Sequence, residues 1–187
     1  MTVTTIKGRY DVLFSDRSLW TMLHGLLLSG GALMLLVTAL FSLRAMALPE
    51  GSAIPVRQSN GFAWLTVAVA GFLWMSVLGG TYIVFPMYRA TPPEGIAALA
   101  DYPRALLLSN PDTRWLHAFG MEIKEHMPWI AAMLATAVAF VVRRHRTTLL
   151  ADASLRSIIG ILLTIVLVLV SFVALLGVFV NKVAPLW

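Results

Sequence analysis

The chain contains no cysteine among its 187 residues. That absence excludes structural disulfides, thiolate-bound clusters and covalent haem attachment through a Cys-x-x-Cys-His motif, so any metal or cofactor must be held by His, Met, carboxylate or Lys. Charge is scarce as well, at 12% of residues against 59% hydrophobic, far below the roughly 25% charged content of soluble domains. No internal repeat or low-complexity tract is present. The opening "MTVTTIKGRYDVLFSDR" lacks an apolar stretch followed by a small-residue cleavage site, and we read it as a retained tail. The net charge of +5 belongs to basic residues flanking apolar runs and gives no reason to expect nucleic acid.

What the chain has in abundance is long apolar sequence. Four runs reach the length of about 20 residues that crosses a hydrocarbon core: Leu19 to Leu43, Phe62 to Phe85, the stretch ending at Val142, and Ile158 to Val180. The expected fold is all-α, with four transmembrane helices (about 18–44, 62–86, 112–143 and 156–181) in an antiparallel bundle. A structured outer loop over 87–111 joins the second helix to the third. The connection "RRHRTTLLADASLR" packs Arg143, Arg144, Arg146 and Arg156 beside the spans, which marks its side as cytoplasmic and puts both termini outside. Glu50 and Asp152 are the acids on that side. The expected setting is a bacterial inner membrane. In the long loop, Asn110 before Pro111 and Asp112 signals the start of the third helix.

Histidine carries the chemistry. His24 lies about two turns into the first span, and "WLHAFGMEIKEHMPW" puts His117 and His126 at the outer end of the third. Counted at about 100° per residue, His117 and His126 point to opposite sides and cannot grip one metal, whereas Glu122 and His126 share a face. His24 and His126 fall at similar depth. Two imidazoles meeting at one height between packed helices are what a b-type haem requires, one axial nitrogen from each side. Arg17, His24 and Gly31 recur every seven residues and form one stripe. In that stripe a glycine lets a flat macrocycle approach, and an arginine one level up pairs a propionate. Lys124, Arg114, Arg104 and Arg89 are further propionate partners, and His117 is the alternative ligand. The arrangement resembles the small four-helix membrane cytochromes b in architecture and histidine placement.

Other residues suggest other chemistry. Glu122 and Glu125 could accept protons beside a quinol or join a non-haem metal site with His117 and His126; the plainer reading is a charged collar at the interface. Tyr82 is a stacking surface for a quinone or haem edge, or an interfacial anchor. His145, within "RRHR", faces headgroups. The spans lack the paired mid-bilayer charges of transporters.

The leading expectation is a non-catalytic electron-transfer subunit. It binds one haem b near the outer face and passes electrons between the quinol pool and an outer redox partner, inside a larger complex of membrane subunits. The alternatives are a cofactor-free accessory or assembly subunit, whose aliphatic fourth helix braces a complex, and a non-haem metal membrane enzyme.

Overall fold

The computed structural model describes residues 15–46 and 56–185. The tail 1–14, and Glu50 of the first connection, lie outside the described residues. Six helices and no strand occur among the described residues. Four are long and apolar enough to cross a membrane: α1 Asp16–Ala45, α2 Arg57–Arg89, α4 Leu116–Arg144 and α6 Ala153–Val183. Two short ones, α3 Pro103–Ser109 and α5 Arg146–Ala151, lie in the connections before α4 and before α6.

Local chemistry sets the helix starts. Ser15 caps α1 by accepting the Ser18 N–H at 3.1 Å. Asp152 caps α6, its Oδ1 accepting from the Ser154 and Leu155 amides at 2.8 and 3.1 Å. Short oxygen-bearing side chains at these positions satisfy amides that have no partner inside the helix. Before α4, the Asn110 carboxamide accepts the Asp112 amide at 2.9 Å, which turns the chain toward the helix.

Packing follows side-chain size. α2 lies along α4, α4 along α6, and α1 against both α2 and α6. The face that α4 presents to this packing is Ala131, Ala132, Ala135, Val138, Ala139 and Val142, all buried. Small residues let helix backbones come close where apolar transfer supplies no net drive, because lipid tails are as apolar as the side chains they replace. Leu36, Leu163 and Val166 fill the remaining space and are fully buried. A second, smaller cluster of Tyr88, Leu107, Leu116, Met121 and Val180 ties α3 to the ends of α2, α4 and α6. Leu43 against Gly160 marks one end of the assembly and Leu176 against Gly120 the other. They are called below the arginine-rich end and the long-connection end.

Candidate functional site

Near the long-connection end, three of the four long helices depart from α geometry. Wide π-helical turns occupy Leu23–Ser29 in α1, Gly80–Val84 in α2 and Leu116–Met121 in α4. Such turns are rare and often mark functional sites, because the extra residue per turn re-aims side chains and backbone groups. Each contains or adjoins glycine: Gly25 and Gly30, Gly79 and Gly80, Gly120. Pro86 follows the second, and Pro128 sits inside α4. Having no amide proton, Pro128 leaves the Lys124 carbonyl without its usual helical partner.

His24 projects from the first wide turn onto α2. A Cβ built at Gly80 would lie 2.7 Å from His24 Cε1, so the missing side chain is what seats the ring. The Nδ1 atom is 3.3 Å from Ser76 Oγ, and Ser76 Oγ is 2.8 Å from Ser29 Oγ. Ser29 Oγ donates to the His24 carbonyl at 3.0 Å. With that single hydroxyl proton committed, the direction of the chain is set: Ser76 donates to Ser29, and His24 Nδ1–H donates to Ser76. The network thus assigns the ring its tautomer, with the free lone pair on Nε2. Lys124 of α4 acts electrostatically on the same ring. Its Nζ lies 2.8 Å from where a Cβ at Gly177 would stand, so the ammonium reaches across to α6, and it has no carboxylate partner among the described residues.

A second constellation forms at the rim. The buried Tyr88 hydroxyl is 2.8 Å from His117 Nδ1, and their rings are 6.0 Å apart. Phe85 stacks on Tyr88 at 6.1 Å, and the Arg89 guanidinium lies 5.3 Å from the Phe85 centroid. Arg104 and Glu125 act electrostatically on both Tyr88 and His117. Arg104 has its Nε buried without a hydrogen-bond partner among the described residues.

The other candidates are placed differently from the sequence-based expectation. His126 is 73% exposed at its side chain. Its Nδ1–H donates to the Glu122 carbonyl at 2.8 Å, while the Glu122 carboxylate is 3.9 Å away. Two residues along a helix turn the side chain by about 200°. Lys124 faces α6 and the His24 ring, so His126 faces away from them, and the two imidazoles expected to share an iron are not brought together. Arg17 donates to the Ala100 and Pro185 carbonyls at 3.3 and 2.6 Å. It joins the start of α1 to the long connection and to the end of α6, which occupies the guanidinium assigned to a propionate. Arg114 donates to the Leu108 carbonyl at 3.4 Å. The space above Gly31 is filled by Phe72, whose Cε1 would lie 2.8 Å from an added Cβ. Tyr82 is 70% exposed and points away from the helix contacts. No group of three or more His, Asp or Glu is gathered for a metal among the described residues.

Sequence reasoning missed Ser29, Ser76 and the Tyr88 hydroxyl. A signal for the first two exists: Ser76 is a polar residue one turn before the Gly79-Gly80 pair, and Ser29 stands five residues after His24. No family model matches the chain, and no curated protein or solved structure matches it.

Proposed function

We infer that this chain is a redox subunit of a multi-pass membrane complex, an antiparallel four-helix bundle that handles electrons from quinol at its outer end. The observation that carries this reading is the His24 site. The serine chain holds the imidazole in one tautomer inside the helix packing, with no hydrogen-bond partner for Nε2 and no carboxylate paired with the nearby Lys124 among the described residues. Ionisable groups within membrane helices are costly and are kept where they do chemistry. A hydrogen-bonded Nδ1–H that orients the ring and raises the basicity of Nε2 is the usual support of a metal-ligating histidine.

In this reading His24 Nε2 would hold a haem b, which would supply one-electron transfer, and Lys124 would supply positive charge for an anionic group of the cofactor. His126, which also carries its proton on Nδ1, would offer its Nε2 to the cofactor only from the outward face of α4, in contact with a neighbouring subunit. The Tyr88–His117 pair, with Glu125 and Arg104 around it, accepts and passes on protons released at the surface by quinol. The long outer connection with α3 provides the docking surface for the outer redox partner.

The test is a reduced-minus-oxidised visible spectrum of the purified protein. Sharp b-type bands are expected, abolished by His24→Ala and retained in His145→Ala. Loss of the bands in His126→Ala as well is expected only if His126 reaches the cofactor from a neighbouring copy or subunit, since it does not face His24 within the chain. Colourless, stable protein favours the second reading, a cofactor-free brace. That reading draws on the exposed row Ile158, Ile161, Ile165, Val168 and Phe172 along α6, which suits a partner helix as well as lipid.

A further inference from the structure

Between α1 and α6, at the arginine-rich end, lies a groove of about 900 Å³. Arg44 and Arg156 stand at its polar mouth, and Leu40, Phe41, Ile161 and Ile165 form its walls. Phe41 is 71% and Ile161 58% exposed, so these walls have no cover from the described residues. Along α6 the lining runs from Ala153 to Leu167, a length of about 21 Å at 1.5 Å per residue. One leaflet contributes about half of a hydrocarbon core roughly 30 Å thick. The groove is therefore deep enough for the acyl chain of a single leaflet with its headgroup at the arginines.

No carboxylate pairs with either arginine at the mouth among the described residues. Arg156 is fixed in place by donating from Nη1 to the Leu149 and Leu150 carbonyls at 3.0 and 2.8 Å, which leaves its other N–H groups for a ligand. Arg44 makes no hydrogen bond or ion pair among the described residues, and the neighbouring acid, Asp152, is engaged in capping α6. Basic pockets between helices at this depth attract anionic headgroups, with about 1 kcal/mol per arginine near the surface.

We propose that the groove is a binding site for an anionic phospholipid, its phosphate held between Arg44 and Arg156 and an acyl chain laid along Phe41, Ile161 and Ile165. The site is independent of the redox reading. It is tested by native mass spectrometry of the full chain released from nanodiscs containing phosphatidylcholine and phosphatidylglycerol in equal amounts. Phosphatidylglycerol should be retained in preference, by about fivefold for each arginine engaged. Arg44→Gln, which removes no hydrogen bond or ion pair among the described residues, should lower that preference about fivefold while leaving the melting temperature unchanged, and Ile161→Trp should remove retention of both lipids. Equal retention of the two lipids, or an undiminished preference in Arg44→Gln, overturns the proposal. So does a second protein chain seated in the groove and released by Ile161→Trp.

Discussion

At the arginine-rich end the helices keep α geometry and meet through Ala135, Ala139, Leu36 and Leu163, all buried and none carrying a polar side-chain atom. At the long-connection end the same helices open into three wide turns and place His24, Ser29, Ser76 and Lys124 against one another. The same apolar helices are thus built to two standards at their two ends. The first end needs only small residues and shape complementarity. The second needs backbone irregularity and glycine, since an imidazole and an ammonium must be fitted where hydrocarbon would pack more simply. The difference marks where the chain carries polar groups and wide turns that packing between apolar helices does not require.

Matched glycines give the sharpest way to break this comparison. At Gly80 an added methyl would sit 2.7 Å from the His24 ring, and at Gly160 it would meet Leu43 Cδ2 at an ordinary 3.5 Å. Gly80→Ala should destabilise by about 2–3 kcal/mol, the range for overpacking against a stiff ring. Gly160→Ala should be neutral within about 0.5 kcal/mol, since any small crowding is offset by helix propensity. Reversible unfolding in mixed micelles measures both. Equal costs at the two positions would falsify the distinction between a regular and an irregular end.

Smaller in effect, and confined to the rim, is Tyr88→Phe. The ring keeps its stacking on Phe85 while the 2.8 Å bond to His117 Nδ1 is lost. The expected cost is about 1 kcal/mol, accompanied by a change in the ¹⁵N shifts of His117 and none at His24. A change at both histidines would mean that the two constellations are one network.

The spans were legible in the sequence because hydropathy and length alone select them, whereas the caps at Ser15 and Asp152 emerge only in the structure. Facing was not legible either. Counting at about 100° per residue assumes unbroken α geometry, and the wide turn over Leu116–Met121 resets the phase between His117 and everything after it. A π turn forms when neighbouring helices make room for it, which is a property of tertiary contacts and leaves only glycine and proline as faint traces in the chain. The arginine at position 17 shows the same limit. Its stripe with His24 is real on the helix, but carbonyls from Ala100 and Pro185, distant in sequence, claim its guanidinium.

The smallest expected effect bears most directly on the chemistry. Ser76→Ala removes the acceptor of the His24 Nδ1 proton and leaves Ser29 with its bond to the His24 carbonyl. Interhelical hydrogen bonds of this kind contribute about 0.6 kcal/mol in a membrane, since the separated helices find other partners for the same groups, so the melting temperature should scarcely move. The tautomer should move. Without the Ser76 hydroxyl the serine chain no longer holds the proton on Nδ1, and of Ser76 only the backbone still acts on the ring, so ¹⁵N spectra of histidine-labelled protein should pass from one dominant form at His24 to a mixture of both. Ser76→Thr, which restores the hydroxyl, should recover the single form. If His24 holds one tautomer in Ser76→Ala, the serine chain does not set the lone pair on Nε2, and what presents that nitrogen is the steric seat at Gly80 instead.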